Sequence, residues 1–104
     1  MSNKNQVPTF LKKFHDIVGH PSTQEIVCWS KDGLKVVIND LDRLFTEIVA
    51  VHFMQKNVLS FIRQLNMYDF KKRKQPSKRI HCYENPNFRE GRPDLLHLIR
   101  RQTS

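Results

Sequence analysis

Glycine, cysteine and long apolar runs are scarce in this chain, and each shortage removes a class of function. Three glycines among 104 residues leave no Gly-rich loop to cradle a phosphate group in backbone N–H donors. The two cysteines, Cys28 and Cys82, lack CxxC spacing, so they make neither a zinc site nor a disulfide framework. Each sits in an apolar, strand-like run and reads as a reduced packing residue. No stretch has the apolar length needed to span a bilayer, and the opening MSNKNQVPTF holds no apolar signal-peptide core, so an intracellular protein is the default expectation. The five histidines, His15, His20, His52, His81 and His97, are scattered without i, i+4 pairs, so neither a metal site nor an enzyme's catalytic set is expected, and no cofactor. His52 and His97 read as partly buried or surface residues.

Acidic residues are also few, ten against eighteen lysines and arginines, giving a formal charge of +8 and a pI near 9.9. That balance favours a polyanionic partner, either nucleic acid or an acidic membrane surface. The excess is not spread evenly. Residues 1–55 hold six cations and six acids, whereas residues 56–104 hold twelve cations and four acids, so the whole net charge lies in the second half. A content of 38% hydrophobic and 10% aromatic residues suits one small globular domain with a single core.

After a polar arm at residues 1–6, Pro8 suits the first turn of a helix. Phe10, Leu11, Phe14, Ile17 and Val18 recur at helical spacing over residues 8–18, and Gly19 with the following HPS stops that helix. The strand-like runs EIVCWS and LKVVIN flank KDG, whose Asp-Gly is a hairpin signal. Asp40 is placed to cap a second helix, DLDRLFTEIVAVHF, with Leu41, Leu44, Phe45, Ile48 and Val49 on its buried side. MQKN makes a turn, Asn57 caps a third helix ending near Tyr68, and FKKRK and RIHCYE flank QPS as a second hairpin. DLLHLIRR closes the chain as a short amphipathic helix. Helix, turn, helix and then a basic hairpin is the order of an α+β winged helix-turn-helix: a three-helix bundle capped by a small antiparallel sheet, with a short wing and a C-terminal helix.

The third helix carries the chemistry. Val58, Phe61, Ile62 and Leu65 fall in one core-facing stripe, with Lys56, Ser60, Arg63 and Met67 opposite and Leu59, Gln64 and Asn66 on the flanks. From the outward face the Arg63 guanidinium can meet guanine O6 and N7 with two hydrogen bonds. Ser60 can donate to a phosphate, and Gln64 and Asn66 can reach a phosphate or an adenine edge. An outward arginine on a helix is more often merely solvated. The adjoining hairpin, bearing Lys71, Lys72, Arg73, Lys74, Lys78 and Arg79, tips the reading to duplex DNA, with phosphate contacts from the wing and from Lys56.

SFIRQLNMYDF, residues 60–70, resembles the recognition-helix signature of the heat shock factor family. VPTFLKKFHDIV, IVCWS and NPNFREGRPDLLHLIRR resemble the family's other segments in the same order, so the similarity covers nearly all of residues 7–101. It implies a winged helix-turn-helix transcription factor that reads inverted GAA triplets, the heat shock element, in the nucleus or in the cytoplasm before activation. Carried over by position, it implies that Arg63 reads the guanine. Asn57, Ser60 and Asn66 would position the helix, Lys72 would lie beside the DNA, and Trp29, Phe61 and Phe70 would be core. The family trimerises through a coiled coil that residues 93–104 do not supply, which points to an excised, monomeric domain of a longer homotrimer.

Three departures stand out. The wing is short, little more than KQPS, where the family's is usually a long loop that touches a neighbouring domain; a short basic wing would contact phosphate instead. Met54 replaces a frequent lysine, a loss that Lys56 could offset. Asp69 replaces a frequent glycine, as in fungal relatives with a fused response-regulator domain, which keeps a regulator of oxidative or osmotic stress open as an alternative. A winged-helix module for protein or RNA is the remaining alternative, although A-form RNA keeps its major groove too narrow for a helix.

Overall fold

The computed structural model describes residues 7–53 and 57–102. The expected polar arm, residues 1–6, and the candidate contact Lys56 lie outside that range, as does most of the MQKN turn.

The first helix, α1, runs from Thr9 to Val18 and buries Leu11, Phe14 and Val18 completely. Pro8 precedes the helix rather than opening it; its carbonyl accepts the N–H groups of Leu11 and Lys12 at 3.0 and 3.2 Å. A short 3-10 turn, Pro21–Thr23, then leads to the strands β1, Val27–Trp29, and β2, Lys35–Ile38. The turn between them is wider than a two-residue Asp-Gly hairpin. Gly33 alone takes a left-handed φ of 73°, while the Asp32 carboxylate accepts from Ser30 Oγ at 2.6 Å and from Leu34 N at 3.1 Å. Those two bonds, with that of Ser30 foremost, hold the Asp32 carboxyl below its usual range.

The expected second helix is present but wound differently. Asp40 caps it, accepting from the N–H of Arg43 at 3.1 Å, yet only Leu41–Arg43 is α-helical (α2) before Leu44–Phe53 continues as a π-helix. The apolar spacing accounts for this. At 100° per residue Phe53 would stand opposite Leu44, but the wider i→i+5 winding, about 4.4 residues per turn, brings Leu44, Ile48, Val49 and Phe53 onto one side. Phe53 thereby packs against Phe10 and Phe61, with ring centroids 5.2 and 5.8 Å apart. Lys13 of α1 donates to the His52 carbonyl at 2.9 Å, tying the helix's last turn to α1.

The third helix, α3, spans Val58–Met67 and enters the strand β3, Lys71–Arg73, which pairs with β4, His81–Glu84. The two hairpins join edge to edge through β2 and β4 into one antiparallel sheet of order β1-β2-β4-β3. Val27, Val36, Ile38 and Tyr83 put the sheet's inner face into the core. In the next row Cys28 pairs with Val37 and Val37 with Cys82, so the cysteines are separated by a whole strand, roughly 10 Å, which no disulfide can bridge. Burial raises the Cys82 thiol pKa further.

The C-terminal helix departs from expectation. Pro93–Leu98 is 3-10 rather than α, and Ile99 ends it in an extended conformation. Leu96 and Ile99 are its buried anchors, and a 3-10 helix places residues three apart on one line.

The junction between α3 and β3 takes only three residues, Tyr68 to Phe70. Tyr68 ends the helix and Asp69 follows in the left-handed region at φ 65°. The N–H of Asp69 donates to the Asn66 carbonyl at 3.0 Å and that of Phe70 to the Leu65 carbonyl at 2.9 Å. This is a Schellman cap, completed by Phe70 and Leu65 meeting in the core. Aspartate tolerates that backbone better than most residues, and glycine has no penalty there. Asp69→Gly should therefore equal or exceed the parent's stability, whereas Asp69→Val should lose about 1–2 kcal/mol. Urea-denaturation midpoints measure both, and equal midpoints would mean the left-handed turn is not a constraint.

Candidate nucleic-acid interface

Helix α3 is rotated by its buried side. Phe61 and Leu65 are 0% exposed, and the Phe61 ring lies 5.6 Å from Phe10 and 5.4 Å from Phe14. Arg63 follows Phe61 by two residues, about 200° around the axis, and is exposed. Among the described residues none of the ion pairs involves it. Its five N–H donors are therefore available to an outside acceptor.

The other residues expected to contact DNA are placed as follows. Asn57 caps α3: its Oδ1 accepts the N–H of Ser60 at 2.9 Å, so its first task is to satisfy an orphan donor. Ser60 and Gln64 are half-buried, and Asn66 is exposed. Met67, expected on the outward face, is partly covered. The end of the chain lies on it, with an Arg101 guanidinium nitrogen 4.0 Å from the Met67 sulfur and the Gln102 N–H donating to the Met67 carbonyl. Arg101 thus lies beside Met67, one helical turn along α3 from Arg63. The sequence shows a basic IRRQ end, but reading it as helix hid where Arg101 points.

The wing is residues 74–80, between β3 and β4, and every side chain from Lys71 to Arg79 is exposed. Its cations are not equivalent. Lys71 pairs with Asp69 at 3.0 Å, and Arg73 pairs with Glu84. The Arg73 hydrogen bond, more than any other influence, holds the Glu84 carboxyl below its usual pKa. Strand register explains the division. Lys72 stands opposite Tyr83, which faces the helices, whereas Lys71 and Arg73 stand opposite Glu84 and Cys82 on the other face. Lys72 is accordingly on the side of the sheet where α3 lies. Its charge, after burial, contributes to lowering the pKa of His81, which shares that face. Lys72, Lys74, Lys78 and Arg79 make no ion pair among the described residues. The base of the β3–β4 hairpin, at the end away from the wing, is tied to the end of α3 by Asn85, whose buried amide donates to the Tyr68 carbonyl at 2.9 Å.

Against that geometry, residues 10–102 match the model of the HSF-type DNA-binding family. The chain belongs to this family. It is 35% identical to heat shock factor protein 2 of mouse and of human over 112 aligned residues, and the match covers all of this chain but 21% of the relatives' length. Its fold is similar to that of Chaetomium thermophilum Skn7 crystallised with SSRE DNA, with TM-score 0.83, 35% identity, and 89% of this chain and 98% of that one aligned. The same protein with HSE DNA gives TM-score 0.81 at 36% identity, over 88% and 98% of the two chains. A heat shock transcription factor/DNA complex gives 0.67 at 31% identity, over 77% and 96%. The winged helix-turn-helix architecture of these neighbours is the one expected from the sequence.

The Asn57 cap carries a direct consequence. Asn57→Ala should cost about 1 kcal/mol of folding stability, and Asn57→Asp should restore most of it. Thermal unfolding of the two variants without any ligand checks this, and an unchanged alanine variant would show that the cap contributes nothing to the fold.

Proposed function

We propose that residues 7–104 form a sequence-specific duplex-DNA-binding domain of a heat shock transcription factor, which inserts α3 into the major groove at GAA-containing heat shock elements. The observation that carries this reading is Arg63, exposed and free of any ion pair among the described residues, standing opposite the fully buried Phe61 and Leu65. It reads guanine through O6 and N7. Asn66, Gln64 and Ser60, with Asn57 at the helix start and Lys56 next to it in sequence, hold the helix in register through phosphates or bridging water. Lys72, Lys74, Lys78, Arg79 and Arg101 supply the sequence-independent part of the affinity, which falls as salt rises.

The longer protein assembles through a coiled coil outside this chain and acts in the nucleus. The role is recognition, without a catalytic step. A second reading is favoured by Asp69 in its left-handed turn and by the higher structural similarity to Skn7: an HSF-type domain of an oxidative or osmotic stress regulator, reading a related site. Titration against the two DNAs crystallised with Skn7, SSRE and HSE, separates the two readings by their relative affinities.

Arg63→Ala should weaken binding to a GAA duplex by about 1–3 kcal/mol and leave binding to a scrambled duplex nearly unchanged. Fluorescence anisotropy at fixed salt measures both, and equal losses on the two duplexes would contradict base readout. The register of β3 yields a second test. Lys72→Ala should flatten the plot of log affinity against log salt by about one unit of slope. Removing the Lys71–Asp69 pair together, as Asp69→Gly with Lys71→Ala, should leave that slope nearly intact. A larger change from the pair than from Lys72 would place the phosphate on the other face of the wing.

A further inference from the structure

Three large apolar side chains among the described residues are conspicuously exposed: Leu59 at 75%, Val51 at 65% and Leu98 at 46%. Single exposed apolar residues are ordinary, and Val51 and Leu98 stand on other elements. Leu59 differs in its surroundings. It lies in the first turn of α3, just past the Asn57 cap, and four residues before Arg63, so the two side chains stack along one face of the helix. The face is otherwise polar, built from Ser60, Arg63, Gln64 and Asn66.

We infer that Leu59 is a specificity-determining residue that packs against the C5-methyl groups of thymine in the bound site. The major groove is lined by donors and acceptors, and its apolar feature is the thymine methyl. The first turn of a recognition helix is the part that reaches base edges. Leu59 is displaced from Arg63 by four helical rises, about 6 Å, whereas successive base pairs are about 3.4 Å apart. With Arg63 on the guanine of a GAA triplet, Leu59 is one to two base pairs away. With the N-terminus of α3 directed to the 3′ side of that guanine, which the inference requires, those two pairs are A·T, and their methyls lie on the thymines opposite the adenines. A solvent-facing leucine on the reading face thus meets the one apolar surface the triplet offers, at the separation the helix dictates. This inference rests on the GAA reading proposed above.

The test uses this chain and three duplexes: two inverted GAA triplets, the same duplex with deoxyuridine replacing the thymines opposite the adenines, and a scrambled control. Deoxyuridine removes only the methyl. The unaltered protein should bind the deoxyuridine duplex roughly 3–10-fold more weakly than the thymine duplex, and Leu59→Ala should lose a similar factor on the thymine duplex while no longer distinguishing it from deoxyuridine. Thermal unfolding should show Leu59→Ala as stable as the parent, since alanine is the better helix former and no core contact is lost. Equal binding of the unaltered protein to thymine and deoxyuridine duplexes, with preference over the scrambled control intact, would overturn the role of Leu59 alone. Continued thymine preference in Leu59→Ala would overturn it as well. Absence of any preference over the scrambled control would overturn the GAA reading and this inference together.

Discussion

The burial of Phe61 among Phe10, Phe14 and Phe53 sets the orientation on which the outward face of α3 depends. A ten-residue helix on the surface of a small domain has few ways to fix its rotation about its own axis. Here a fully buried aromatic ring does so, in contact with α1 on one side and the π-helix on the other. Leu65, one turn on and equally buried, removes the remaining freedom. Leu59, Arg63 and Asn66 then have no route inward, and the arginine's rigid fork is held away from the domain's own carboxylates.

The same aromatic cluster extends through Phe14 to Phe88 and Phe70, at centroid distances of 5.4 and 6.3 Å, and so to the base of the β3–β4 hairpin. His15 belongs to it. Its ring packs beside Trp29 and Phe88, and its Nε2–H donates to the Arg89 carbonyl at 2.8 Å, which satisfies a buried donor that would otherwise be costly. Trp29, expected in the core, is half-buried at its edge and covers that histidine. Helix and hairpin are therefore parts of one packed body. The charge divided across the two faces of β3 is presented at a fixed angle to α3 by the Schellman cap and by the Asn85 bond.

Several elements were legible because their signals are local. The Asn57 and Asp40 caps, the apolar stripes of α1 and α3, and both hairpins depend on residues within a few positions of one another, and they fell close to where the pattern puts them. The π-helix was not legible at 100° per residue, because the wider winding is chosen by where Phe53 must go, a contact with Phe10 that is remote in sequence. The C-terminal segment failed for a related reason. DLLHLIRR has helical spacing, but docking Leu96 and Ile99 against the core favours a 3-10 turn and an extended Ile99.

By itself the sequence determined the placement of the net charge, the outward position of Arg63 on its helix, and a family signature that needs only spacing to be recognised. Which of the basic residues stay without a carboxylate partner, among the described residues, was decided by tertiary structure alone. A strand's alternation sends Lys72 to one face and Lys71 and Arg73 to the other, and only the pairing of β3 with β4 shows which face the helices occupy. Asp69 and Glu84 neutralise two of those cations through contacts set by a left-handed turn and a strand register. The return of Arg101 over Met67 depends on how the last residues pack, because charges far apart in sequence share a surface only after the chain between them has folded.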